Sequence, residues 1–357
     1  MFGRVFEICG RLLIMNHRQE YQVKVTAVTI MYGDRWKFLS QVLEAVMRDP
    51  YISTFVIVDN GSKNEVEIKE GVRQYGERVV VLRQEKNLGS AGGFAKGLEY
   101  ARTTGSDFVF ILDDDSVPED DTVEKFMEIR KLFPTPNVVL CSNRIILPGN
   151  KEKFYQLSLK KPSATGTFFE VFSVSKFANF LNLFNNKKAS DIKPSPFIPI
   201  IPVTAFVYGG SFIPMQAVRE TALPDASLFL YGDDIEYAWA IKKSGYDAYL
   251  CVSPLMHDVD LTFGEGSHIF GLFEGKTLPF KVFYRVRNMV RISRKHSSQS
   301  PPVLFINMFV WILGLYILGF LRFGPTKMFF SRSKLIAQAV IAGFLKSYPI
   351  PKEAQVN

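Results

Sequence analysis

Cysteine and histidine are scarce in this chain of 357 residues, which holds three of one and four of the other. Cys9, Cys141 and Cys251 lie far apart and match no metal-ligand spacing, so they are expected to be reduced thiols of a cytosolic protein. No secretory leader is expected either. Arg4, Glu7, Arg11 and Arg18 interrupt each apolar run near the N-terminus before it reaches signal length. Phe2, Val5, Phe6, Cys9, Leu12 and Leu13 fall near helical spacing, which predicts a short amphipathic segment over residues 1–21. Internal repeats are absent.

What is present suits a globular core with an appendage. Hydrophobic residues make up 47% and charged residues 22%, ordinary values for a folded domain. The net charge is +8, and Arg and Lys gather after position 280, which calls for an anionic partner. Those basic residues sit beside an apolar run rather than between stacking aromatics. That arrangement favours phospholipid and argues against nucleic acid.

From Gln22 to Leu147 short β-rich runs alternate with helical stretches. Strands are expected at Val23–Ile30, Thr54–Val58, Val79–Leu82 and Phe108–Leu112. Helices are expected at Trp36–Met47, Glu65–Tyr75, Ala91–Thr103 and Asp120–Phe133. This rhythm predicts a parallel sheet with crossover helices, whose ligands bind beyond the strands' carboxyl ends. Residues 148–202 break the rhythm with Lys, Phe, Asn and Pro and are expected to be an insertion or mobile cover. Val203–Ile213 resumes as a strand interrupted by Gly209-Gly210. A helix from Ile235 to Ser244 and a strand Ala248–Val252 follow. Val303–Leu321 is a 19-residue apolar run, long enough to span a bilayer, and a weaker run covers Leu335–Leu345. Basic clusters flank both sides, so a single span would export one of them; in-plane insertion or a re-entrant pair fits better. A dimer interface would suit the same apolar tail.

Polar clusters fall where such a sheet needs them. Asp59 ends the second strand, where a carboxylate suits a pyrimidine imide N–H, although Asp-Asn-Gly-Ser also suits an Asx turn. Asn87-Leu-Gly-Ser-Ala-Gly-Gly93 opens a helix, with small residues that permit close approach to a nucleotide sugar. It is no Walker loop, since Lys-Ser/Thr is missing. Asp113-Asp114-Asp115 closes a buried-looking strand, and an Asp-x-Asp spacing can grip one hard cation. Gly232-Asp233-Asp234 places carboxylates at a helix start, where one could deprotonate an attacking hydroxyl. His257 lies beyond the last expected strand.

This combination resembles the family 2 glycosyltransferases of the GT-A (nucleotide-diphospho-sugar) fold over about residues 22–290. Within that family it is similar to bacterial galactofuranosyltransferases and the related rhamnosyltransferases. The likeness is carried by Asn87–Phe94, Asp113–Asp115, Leu223-Pro224 leading to Asp233-Asp234-Ile-Glu-Tyr237, Gly245-Tyr246 and His257. Tyr231-Gly232 stands where galactofuranosyl relatives tend to carry Trp.

The resemblance implies an α/β GT-A catalytic domain at 22–290, its mostly parallel sheet flanked by helices, and a helical membrane-associating region at 291–357. It implies an inverting, metal-dependent hexosyltransferase at the cytoplasmic face of the cell membrane. UDP-galactofuranose is the favoured donor and dTDP-rhamnose the next, and the acceptor is a growing, lipid-linked glycan. Asp234 would be the general base, with Asp233 holding sugar or acceptor. Asp59, Arg83, Asn87, Gly89, Gly92, Gly93, Asp113 and Asp114 would bind the donor. Asp113, Asp115 and His257 would ligate Mn²⁺ or Mg²⁺. Two rival classes stand beside this: a sugar-nucleotide pyrophosphorylase, disfavoured because Thr29–Arg35 lacks a glycine cluster, and a membrane-bound scaffold with a degenerate site.

Overall fold

The computed structural model describes residues 22–146, 153–154, 167–168, 172–173, 200–260, 269–275, 277–296 and 300–355. The expected N-terminal amphipathic segment, most of the insertion at 148–202 and Cys9 lie outside the described residues.

The first half follows the predicted alternation. Strand β1 (Val25–Met31) leads through helix α1 (Trp36–Arg48) to β2 (Ile52–Asp59). Helix α2 (Glu65–Val72) and a 3-10 turn lead to β3 (Val79–Arg83), and α3 (Gly89–Ala101) to β4 (Phe108–Ile111). β3, β2, β1 and β4 lie side by side in parallel. Every residue of β1 is buried, as a strand covered on both faces requires. Alternate residues feed different cores: Val25, Ala27 and Met31 join α1 on one face, while Val28 and Ile30 join α3 on the other.

Beyond β4 the sheet becomes mixed. β5 (Ser116–Pro118), α4 (Thr122–Arg130) and β6 (Val138–Ile146) come next, then two-residue strands β7 (Lys153–Phe154), β8 (Thr167–Phe168) and β9 (Phe172–Ser173). The expected interrupted strand Val203–Ile213 is two strands with different neighbours. β10 (Ile200–Val203) lies at the sheet edge on β12, whereas β11 (Ser211–Pro214) runs antiparallel between β4 and β6. The left-handed backbone of Gly210 lies directly before the second of them. After α5 (Met215–Glu220) and α6 (Asp233–Lys243), β12 runs from Asp247 to Asp258, parallel to β6. His257 therefore lies inside a long strand rather than beyond a short one. A register shift between Leu250 and Leu255, around Ser253-Pro254, lets the strand continue past the expected end.

Three helices follow: α7 (Pro279–His296), α8 (Pro301–Phe323) and α9 (Lys327–Phe344). They share a third core of Val282, Phe283, Val286, Met308, Trp311, Leu315, Ile336 and Ala339. The domain boundary expected at residue 290 falls inside α7, which packs into this core and also touches the site.

Candidate active site

The polar clusters converge where the strands end. Asp59, 1% exposed, closes β2 beside the end of β3, so Arg83 is its neighbour in register. Its carboxylate accepts from Arg83 Nη1 and, at 2.8 Å, from the Ser62 amide. Its oxygens are thus already held within the chain, in the turn that the local sequence suggested. Arg83 remains the partly exposed member of the pair.

The glycine loop opens α3. Asn60 bridges it, donating to Asn87 Oδ1 and the Gly89 carbonyl at 3.0 Å each and accepting from the Leu88 amide at 2.8 Å. Gly89 has a φ of +72°, and a Cβ there would collide with the Phe229 carbonyl. Gly89→Ala is expected to lower stability by at least roughly 1–2 kcal/mol from the left-handed backbone alone, and to displace Phe229. A thermal melt and a turnover assay read both effects. Gly92 and Gly93 pack against Leu88 and Ile30, which makes them helix-packing positions.

The acidic triplet is braced by two arginines that the sequence did not announce. Arg35, in the loop after β1, makes a fork onto Asp114, with Nε to Oδ2 at 2.7 Å and Nη2 to Oδ1 at 2.9 Å. The same Nη2 donates to Asp115 at 2.9 Å, and Nη1 to Asp260 at 2.5 Å. Burial pushes Asp114 up to about 6 against the pull of Arg35, and burial together with Asp113 does the same to Asp115 against Arg35 and Arg144. Arg144 on β6 donates to both oxygens of Asp258 at 2.8 and 2.9 Å and to Asp113 at 3.1 Å. Gly209 makes room for that pair, since a Cβ there would lie 2.6 Å from Asp113 Oδ2.

The expected metal trio is not gathered. Successive residues of a strand point to opposite faces, and on β12 it is Asp258, not His257, that joins the Asp113 network. His257 Nε2 meets Glu119 at 3.1 Å, and its Nδ1 is buried without a hydrogen-bond partner. That is how a ligand histidine is braced, but Asp113 and Asp115 face arginines instead. Among the described residues no three His, Cys, Asp or Glu side chains are close enough to hold an ion. This donor set fits an arginine-braced acidic cluster and does not fit a cation cage.

The paired carboxylates open α6. Asp233, buried, accepts from Ser90 Oγ at 2.8 Å, which ties the pair to the glycine loop. Asp234 accepts from the amide of Ile235 at 2.8 Å. Burial first, then Asp234, pushes Asp233 up to about 7, and burial also raises Asp234. The Tyr208 hydroxyl, beside them, is buried and unpartnered.

The approach to this pair is unusual backbone. Phe229, Tyr231 and Gly232 have φ values of 62°, 69° and 78°. For the first two this is a strained region that surrounding structure must enforce. α7 supplies the enforcement: Asn288 Nδ2 donates to the carbonyls of Leu228, Leu230 and Tyr231 at 2.7–2.9 Å. Arg287 Nη2 holds the Ser227 and Leu228 carbonyls at 2.8 Å each. Glu236, one turn into α6, is gripped by Lys295 and His296. Burial works against its charge, but these partners hold it below the usual carboxylate range.

Residues 26–191 match the family model described as glycosyl transferase family 2. Galactofuranosyltransferase GlfT1 of Mycolicibacterium smegmatis is 23% identical over 231 residues, covering 64% of this chain and 69% of that protein. Its namesake in Mycobacterium tuberculosis is 24% identical over 213 residues, covering 59% and 61%, so the match spans less than two thirds of that relative. Among solved structures, S. aureus TarS 1-349 with UDP-GlcNAc has a TM-score of 0.52 at 12% identity, covering 90% of this chain and 81% of that one. GalNAc-T7 with UDP, GalNAc and Mn²⁺ has a TM-score of 0.51 at 14% identity, covering 77% and 48%. The two structures share the GT-A fold with this chain, whose residues 26–191 are similar to glycosyl transferase family 2 and whose similar proteins include galactofuranosyltransferases.

Proposed function

We propose that this chain transfers a sugar, galactofuranose foremost, from a nucleoside-diphosphate donor to a hydroxyl of a growing, lipid-linked cell-surface glycan. One observation carries the reading: the Ser90–Asp233 hydrogen bond joins the glycine loop to the carboxylate pair, and Asp234 lies within electrostatic reach of Asp113. Donor-side and acceptor-side groups thus meet at one place.

The chemistry is a single displacement. The acceptor oxygen forms a bond to the anomeric carbon as the bond from that carbon to the diphosphate breaks. Asp234 takes the hydroxyl proton, and the configuration inverts because attack comes from the face opposite the leaving group. A carboxylate is a weak base in water, so dehydration and a fixed position supply its effectiveness. Asp233, pinned by Ser90, keeps its neighbour in place. Arg83 and the turn at Asn87–Gly89 are the proposed donor contacts, with Gly92 and Gly93 seating the helix behind them, while Asp59 acts by holding Arg83. Such an acceptor puts the enzyme at the cytoplasmic face of a membrane. Tyr231-Gly232, in place of the Trp of galactofuranosyl relatives, favours dTDP-rhamnose as the second donor to consider.

Calorimetry with UDP, dTDP and GDP tests the proposal. UDP is expected to bind most tightly; a preference for dTDP would shift the reading to rhamnosyl transfer, and no binding would leave a scaffold. Repeating the titration with Mn²⁺ reads the metal directly. Unchanged affinity agrees with carboxylates already held by Arg35 and Arg144. A gain of tenfold or more means that a cation displaces one of these arginines.

A further inference from the structure

Helix α8 has two unlike faces. Leu304, Met308, Trp311, Leu315 and Gly319 are buried along its whole length, against α7, α9 and Phe273. The opposite face exposes Phe305, Ile306, Phe309, Leu313, Ile317 and Phe320, each 46–65% accessible. Phe305 stacks on Phe344 at 5.2 Å and the Tyr316 hydroxyl donates to the Ser333 carbonyl at 3.0 Å, so α8 and α9 run antiparallel side by side. α9 adds Phe330, Ile341 and Leu345 to the exposed apolar surface. An apolar stripe this long on a soluble surface calls for something to cover it.

Charge identifies the cover. Residues 275–352 contain 13 Lys and Arg and no Asp or Glu. Arg322, Lys327, Lys334 and Lys346 are exposed on α8, on α9 and in the segments that follow each. A second copy would set this basic surface against itself, whereas an anionic lipid surface complements it. Spanning is ruled out by packing, because the buried face of α8 is committed to the protein from end to end.

We propose that α8 lies in the plane of an anionic bilayer, its exposed stripe among the acyl chains and the basic residues at the headgroups. It bears on the proposed function only in bringing the site to a lipid-linked acceptor, and rests on that reading there alone. α7 belongs to this helical group and also holds the carbonyls of Leu228, Leu230 and Tyr231, so the catalytic loop is fixed relative to the membrane plane.

Co-sedimentation of the full chain with phosphatidylcholine vesicles, with and without 30% phosphatidylglycerol, tests this. The chain is expected to pellet with the anionic vesicles, and Phe309→Glu with Leu313→Glu to lower that partition at least tenfold. Both positions are exposed, and UDP affinity and the melting temperature confirm that the variant is folded. Quenching by brominated lipid of tryptophans placed at Ile306, Leu313 and Phe320 should report one shallow depth for all three. A deep position for Leu313 alone would overturn in-plane insertion. Equal pelleting of variant and wild type, or a stable dimer dispersed by the variant without vesicle binding, would overturn the lipid partner. Vesicle binding is read without nucleotide, and UDP binding without vesicles, so the two proposals fail separately.

Discussion

Asp234→Asn is expected to remove roughly 10²- to 10⁴-fold from the turnover number, the range typical of a lost general base, and to leave UDP affinity within a factor of about three. The amide is the same size and keeps the acceptor oxygen that receives the Ile235 amide, so the helix start survives. What is lost is the group that accepts a proton. Rapid-quench turnover beside calorimetry separates the two effects; loss of both activity and nucleotide binding would show that Asp234 holds the fold or the donor.

The same carboxylates set a pH dependence whose sign differs between activity and stability. The proposed base must be ionised, and burial raises the Asp234 carboxyl, so activity should climb with pH over a range above that of an ordinary carboxylate. The folded chain binds the Asp233 proton more tightly than an unfolded chain, whose aspartates titrate at 3.8. Stability from this group is therefore greatest in acid and declines between about pH 4 and 7. The chain gives up some stability in order to hold Asp233 beside the proposed base, and a more stable Asp233→Asn variant at pH 8 would be the corresponding signature.

Arg35→Met is expected to have the largest effect on folding. It leaves Asp114, Asp115 and Asp260 dehydrated, with side chains only 4–10% exposed, and without their shared cation. Removing one partner of a buried ion pair costs about 3–5 kcal/mol. Without Arg35 the carboxylates titrate higher still, so protonation relieves the defect as the pH falls. Urea denaturation should show the full loss at pH 8 and a smaller one at pH 5.5. An equal loss at both would mean that Arg35 matters for its packing beside Tyr32 and Phe38 rather than for its charge.

These two predictions draw on different kinds of information. The place of Asp233 and Asp234 at the head of a helix was legible in the sequence because a carboxylate pair after glycine is a local pattern. The parallel half of the sheet was legible for the same reason: each strand and its crossover helix are adjacent in sequence and alternate in residue type. Arg35, Arg144 and Asn288 were not, because each is a single polar residue whose meaning lies in partners far along the chain. Arg144 meets Asp258 across 114 residues, and Asn288 meets the Leu228 carbonyl across 60. The Val203–Ile213 segment misled for a related reason. Its apolar run gives no sign that its two ends serve opposite sides of β6. The metal trio was implied by the family resemblance, whereas the strand pleat sends His257 and Asp258 to opposite faces.

The position of β12 also governs the order in which the molecule is made. β1, β2 and β3 pair with their neighbours in sequence and can do so early, whereas β4 must close back on β1, Val25 meeting Phe108. Arg35 then has Asp114 and Asp115 at hand but must wait for Asp260, 225 residues later, and Arg144 must wait for Asp258. Asn288, which sets the loop ahead of the carboxylate pair, is synthesised later still. A nascent chain therefore has the parallel half of its sheet early and the partners of its acidic cluster last, so the strands that carry Asp59 and Asp113–Asp115 are made long before the residues that hold them in place.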